Sequence, residues 1–182
     1  MNLGNTELEL RFEVAIELLS EHLPVGQNER KPVLMHSIRV GMYLYERDYP
    51  DEVVLGGLLH DILEQSDLDH EILETAFGEE VYEIVLANSQ DDKISETVEK
   101  WQDMVLRCAK LGKNALIVKA ADVIDSYQYY SMSVNQNPHH GDTFDSRDSE
   151  VERSRGIGEF LLENLPEGIE DPIFDELKIL IE

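Results

Sequence analysis

The chain has a single cysteine, Cys108, so no intramolecular disulfide can form and no thiolate cluster is available for zinc. That thiol is expected in the core. Basic residues are scarce as well: 15 lysines and arginines stand against 39 aspartates and glutamates, a formal net charge of −24. Such a surface repels a nucleic-acid backbone instead of exchanging counterions with it, which excludes extended DNA or RNA as a partner. If the substrate is an anion, the few cations must be gathered where it binds; the rest of the acidity reads as a solvated surface. No apolar run approaches the ~18–20 residues of a membrane span, and no basic segment leading into an apolar one opens the chain. A soluble, cytoplasmic protein without a membrane partner is expected. At 182 residues the length is that of one domain, 1–182, with one core.

Sustained period-2 alternation is also missing, whereas apolar positions recur at helical spacing almost throughout. The chain reads as all-α, a bundle of about eight or nine helices. A first helix is predicted from a capping box, Thr6 to Glu9, with Leu8, Phe12, Ala15, Ile16 and Leu19 inward. A second starts at Pro32 and runs to about Asp48, with Val33, His36, Val40 and Leu44 on its inner face. Pro50-Asp51 opens a third, apolar nearly all round and ending near Glu64, which marks a central buried element. Short helices follow at about 69–76 and 79–88, split by Phe77-Gly78. Ile94, Val98, Trp101, Val105 and Cys108 or Ala109 mark the next, stopped at Leu111-Gly112, and another runs from about Asn114 to Ser131. The run from Asn135 to Asp142 is a polar loop in which His139 and His140 are expected to be exposed. Helices at 150–165 and 172–181 are expected to pack outside a core spanning about residues 8–130.

Inside these apolar segments stand two imidazoles and two carboxylates. His60-Asp61 ends the run Val53-Val54-Leu55-Gly56-Gly57-Leu58-Leu59, His36 lies on the preceding helix, and Asp122 interrupts Ala115-Leu116-Ile117-Val118-Lys119-Ala120-Ala121. Burying such groups uncompensated is strongly unfavourable, and a divalent metal would compensate them. Mixed nitrogen and oxygen donors with positions left open suit manganese, iron or zinc, and magnesium stays in the set. An ion of this kind polarises phosphoryl oxygens and acidifies water. Each residue also has a plainer explanation. A lone histidine on an apolar face is ordinarily a hydrogen-bonded core residue, and Asp122 could equally pair with Lys119. The conjunction is what favours the metal. Glu64, one helical turn beyond His60, could orient or deprotonate an attacking water, and Arg30, Lys31 and Lys119 could receive an anionic substrate.

The order of these residues resembles the HD-domain superfamily of metal-dependent phosphohydrolases, whose pattern H…HD…D would be filled by His36, His60, Asp61 and Asp122. Three stretches look like the hydrolase domain of RelA/SpoT-type enzymes: Arg30-Lys31-Pro32-Val33-Leu34-Met35-His36, Gly57-Leu58-Leu59-His60-Asp61-Ile62-Leu63-Glu64 and Phe77-Gly78-Glu79-Glu80-Val81. Ile117-Val118-Lys119-Ala120-Ala121-Asp122 is similar to that family's last metal-binding helix. The resemblance implies removal of the 3′-pyrophosphate from guanosine tetra- and pentaphosphate with manganese. It implies His36, His60, Asp61 and Asp122 as metal ligands, Glu64 as one of an acidic pair that activates water, and Arg30 and Lys31 on the nucleotide; Asp61 is placed beside Glu64 at the catalytic step.

The chain departs from the pattern at Gln65, where the family has a second acid, and at Ser126 and Gln128, where it has asparagine and arginine. Ser126 is placed with Arg30, Lys31 and Lys119 among the substrate-binding residues. The expected function is hydrolysis of a small nucleotide, with guanosine tetraphosphate as the leading specific substrate. Another HD nucleotidase or phosphatase reaction is the rival within the enzymes. A catalytically inactive nucleotide-sensing or protein-binding module is the rival outside them.

Overall fold

A computed structural model of the chain describes residues 5–23, 31–133 and 144–182. They form ten helices, with no strand among the described residues. In chain order these are α1 Thr6–His22, α2 Val33–Tyr45, α3 Asp51–Leu59, α4 Ile62–Gln65, α5 His70–Phe77, α6 Glu79–Asn88, α7 Thr97–Leu111, α8 Lys113–Ser133, α9 Phe144–Glu163 and α10 Pro172–Ile181. The expected all-α class holds. Arg30, His139 and His140 lie outside the described residues.

Helix α3 is the centre of the bundle. Every residue from Val53 to Leu59 is buried, and α1, α2, α6 and α8 pack around it, as its lack of a polar face requires. The approach of α2 depends on a missing side chain. A Cβ on Gly41 would stand 2.9 Å from the Leu58 Cβ and 3.2 Å from its Cα, inside contact distance of an element that cannot yield. This approach sets His36 of α2 beside the end of α3. Helix α8, at ~1.5 Å per residue about 30 Å long, then crosses the molecule behind both.

Several boundaries differ from the sequence reading. Asn5, not Thr6, caps α1, its side chain accepting from the Leu8 N–H at 3.2 Å while its amide donates to Asp51 at 3.1 Å. Helix α2 starts one residue after Pro32 and ends at Tyr45, before Asp48 takes a left-handed φ of 56°. The third helix does not run on to Glu64 but breaks at His60-Asp61. The ladder restarts from the Asp61 carbonyl, which accepts from the N–H groups of Glu64 at 3.2 Å and Gln65 at 3.0 Å. Val98 is exposed, because α7 begins only at Thr97 and Val98 falls in its first turn. Cys108 is buried, as expected, and burial pushes its thiol up to about 11.

The two last helices are not peripheral. Helix α9 begins at Phe144, lies along α8, and buries Leu161 completely. Leu161 and the α10 residues Ile173, Phe174, Leu177 and Ile181 belong to the same hydrophobic cluster as α1, α3 and α8. Helix α10 keeps its expected bounds, with Pro172 in the first turn and Asp171 as the cap accepting from the Ile173 N–H at 3.2 Å.

Candidate metal centre and its cavity

His36 and His60 are both buried, and each has one ring nitrogen committed. The His36 Nδ1 lies 2.6 Å from an Asp125 carboxylate oxygen and the His60 Nδ1 lies 2.8 Å from the Gly57 carbonyl. Those oxygens can only accept, so in the neutral rings both Nδ1 atoms carry the proton and both Nε2 atoms present lone pairs. The two Nε2 atoms face each other at 3.2 Å. Two acceptors at that distance repel unless a positive charge stands with them.

Carboxylates close around the pair. Asp122 Oδ1 lies 3.0 Å from the His36 Nε2 and 3.7 Å from that of His60. Asp61 stands 3.3 Å from the His60 Nε2 and 3.8 Å from that of His36. Donor atoms of His36, His60 and Asp122 all fall within 4.8 Å of one another, a group that could hold a metal ion, with Asp61 against both imidazoles. Protonation preferences tell the same story. Burial works to lower the His60 pKa, but Asp61 and Asp122 outweigh it and the value is raised. Burial works to raise Asp122, but Lys119 and the two imidazoles hold it well below the ordinary carboxylate range.

The alternative of an Asp122–Lys119 pair is realised together with this cluster. The buried Lys119 ammonium donates to Asp122 Oδ2 at 3.0 Å while Oδ1 faces the imidazoles. Ser126, one turn on, donates to the same Oδ1 at 3.2 Å and accepts from Lys31 Nζ at 2.9 Å. Burial lowers the Lys31 pKa against the pull of Asp122 and Asp61. The described substrate candidates Lys31, Lys119 and Ser126 and the catalytic candidates Glu64 and Asp61 line one cavity of about 260 Å³ with Asp122. Gln128 does not; it lines a separate hollow with Arg39 and Ile124.

Three contributions escaped the sequence reading. Asp125 orients His36 and is itself gripped by Arg39, whose Nε and Nη2 donate at 2.6 and 2.8 Å. Despite partial burial, His36 and Arg39 hold its carboxyl down to about 2. The available signal was spacing: Asp125 follows Asp122, and Arg39 follows His36, by one helical turn. Gln90 donates to Glu64 through its side chain at 2.9 Å and its backbone N–H at 3.3 Å, and Gln65 adds a third bond at 3.3 Å. Desolvation at the cavity mouth, then the Asp61 charge, raises the Glu64 carboxyl above the usual glutamate range. Third, Glu150, Arg153, Ser154 and Ile157 of α9 form a cavity wall with Trp101 and Met104 of α7. Nothing in the periodicity of α9 marked that face.

Fold and site together define a helical bundle whose core carries a two-histidine, carboxylate-rich centre suited to a divalent ion. The chain belongs to the HD-domain family, whose model matches residues 13–141. It is 30% identical over 126 residues to the guanosine-3′,5′-bis(diphosphate) 3′-pyrophosphohydrolase of Aquifex aeolicus, covering 66% of this chain and 17% of that protein. It is 33% identical over 100 residues to the enzyme of the same name from Drosophila melanogaster, covering 54% and 55%. The chain thus spans about half or less of the length of these curated relatives. A solved structure described as a metazoan ortholog of SpoT that hydrolyses ppGpp superposes with a TM-score of 0.72 over 99% of this chain and 96% of that one. At 21% identity, that likeness concerns the fold. Among the described residues no helix is long and apolar enough to cross a membrane.

Proposed function

We propose that the chain is a metal-dependent phosphohydrolase acting on a small nucleotide, with release of the 3′-pyrophosphate of guanosine tetraphosphate as the leading reaction. The observation that carries this reading is the pair of Nε2 atoms facing each other at 3.2 Å between two carboxylates, an arrangement that calls for a cation. His36, His60, Asp61 and Asp122 would hold it, with manganese first by the resemblance to RelA/SpoT-type enzymes and iron, zinc or magnesium as alternatives. When bound, such an ion supplies Lewis acidity toward a phosphoryl oxygen and acidifies water.

The chain's own residues supply the rest. Glu64 takes the proton of the attacking water at Oε1 or Oε2, and its raised pKa brings it nearer the range in which a general base works at neutral pH. Gln90 and Gln65 fix the direction of that carboxylate. Lys31 and Lys119 offset negative charge on the phosphoryl group in a protein that otherwise repels anions, and Arg30, one residue before Lys31, extends that role. Ser126 links Lys31 to Asp122, so the substrate cation and the ligand carboxylate share one network.

A panel of nucleotides incubated with the purified protein and manganese tests the reading. Pyrophosphate should be released from guanosine tetraphosphate, and Glu64→Gln should slow it by about 10²–10⁴ while leaving metal and nucleotide bound. One observation favours a second reading: Gln65 puts an amide, not a second acid, beside Glu64. Bound metal and tight nucleotide binding without turnover of any nucleotide would select a sensing module.

A further inference from the structure

The charged groups that line the cavity account for phosphates and an ion but not for its apolar side chains. Trp101 and Met104 of α7, Val123 and Tyr130 of α8 and Ile157 of α9 line the same space, interleaved on α9 with Glu150, Arg153 and Ser154. The apolar side chains in this lining offer a polyphosphate no partners, and its oxygens would be desolvated against them. They suit a flat, weakly polar group attached to the phosphates. Trp101 is the largest such surface, half-buried and open to the cavity. Its ring is braced by Phe160 of α9, edge to face at 5.5 Å between centroids and 81° between planes. An indole held in this way is an ordered platform that loses little conformational freedom when a ligand ring stacks on it.

We propose that Trp101 is the stacking platform for the substrate's nucleobase, which makes the α7–α9 wall the base subsite. This rests on the nucleotide reading above and adds to it the part of the substrate that wall selects. Since every base offers a π-face, stacking gives affinity with little discrimination between guanine and adenine and a preference for the larger purine surface over a pyrimidine.

The test uses the full-length protein with manganese and three substitutions. Trp101→Ala should raise KM for guanosine tetraphosphate roughly five- to a hundredfold, the effect of removing one base–aromatic stack, with kcat little changed. Trp101→Leu keeps apolar bulk against Phe160 without a π-face and should raise KM similarly, whereas Trp101→Phe should restore most of the loss. The inhibition constant of inorganic pyrophosphate, which has no base, should be the same in all four proteins. Trp101 is also the only tryptophan in the chain, so its fluorescence should respond to saturating guanosine tetraphosphate and not to pyrophosphate. Wild-type KM in Trp101→Leu, or a parallel rise in the pyrophosphate constant, would mean that the residue only packs α7 on α9 and would overturn the proposal. Calorimetry separates the two levels of inference. Nucleotide binding with an unmoved KM in Trp101→Ala rejects the base subsite alone, while no binding of any nucleotide rejects the proposed function with it.

Discussion

Asp125 shows how a residue that touches no substrate can govern a site. Its carboxylate takes the His36 Nδ1 proton's hydrogen bond at 2.6 Å, which fixes the tautomer that leaves Nε2 available, and Arg39 fixes the carboxylate in turn. Carboxylates in this position raise the basicity of a ligating imidazole, and their loss ordinarily costs ten- to a hundredfold in metal affinity. Asp125→Asn should therefore weaken manganese binding by about that factor, read by competition with a fluorescent chelator, while circular dichroism stays that of the wild type. Unchanged affinity would show that Gly41 and the helix packing alone orient His36. The proposed ligands were legible in the sequence because a histidine or aspartate amid leucines and valines is a chemical misfit visible without coordinates. Asp125 carried only the weaker signal of its spacing, one turn beyond Asp122, because the polar Ser126 and Gln128 follow it and no apolar run encloses it. Gln90 left no local signal at all, because its bond to Glu64 joins a loop to the end of α4 across 26 positions.

At the level of elements, periodicity and the proline and glycine punctuation located nearly every helix, down to Pro172–Ile181. They failed where neither signal operates. An all-apolar run hides a break, so the interruption between α3 and α4 could not be seen, and the path of α9 along α8 is a tertiary choice that α9's own pattern does not encode. The α2–α3 contact carries one expectation. Gly41→Ala puts a methyl against the Leu58 backbone and should destabilise by about 1–3 kcal/mol. Manganese affinity should fall with it as His36 and His60 are forced apart, whereas a neutral effect on both would remove the close approach as the reason for glycine. Asp171 carries another. It caps α10, accepts from the Tyr49 hydroxyl and pairs with Lys113 at 3.0 Å; burial works to raise its carboxyl, but Tyr49 and Lys113 outweigh it and the value is lowered. A depressed folded-state pKa stabilises above the unfolded value of about 3.9 and loses that contribution as pH falls through the folded value. Asp171→Asn keeps a competent cap but no charge, so urea melts should find it less stable than wild type at pH 7, with the gap closing below about pH 4. A gap independent of pH would assign the loss to the cap or to packing.

For the molecule as a whole, the proposed centre is a crosslink. Its four residues come from α2, the α3–α4 junction and α8, which are separated along the chain and meet only in the folded state. An unfolded chain cannot assemble them, so a bound ion should act on folding by mass action, about 2.7 kcal/mol at a hundredfold excess over the dissociation constant. For a chain of this size each kcal/mol moves the melting temperature by about 2–4 °C, so manganese added to chelator-treated protein should raise it by about 5–11 °C. The net charge of −24 makes a control necessary, because any divalent cation screens the self-repulsion of so acidic a surface. Asp122→Ala supplies it. That variant removes one carboxylate from the centre and leaves the surface charge nearly intact, so a non-specific screening effect should survive in it while the site-specific shift disappears. Lys119, left buried without its partner, should also lower the variant's starting melting temperature, since breaking a buried pair typically costs about 3–5 kcal/mol. The comparison that decides is therefore the manganese-dependent increment and not the absolute value. Equal increments in the two proteins would place the stabilising ion on the acidic surface and remove Asp122 from the proposed ligand set.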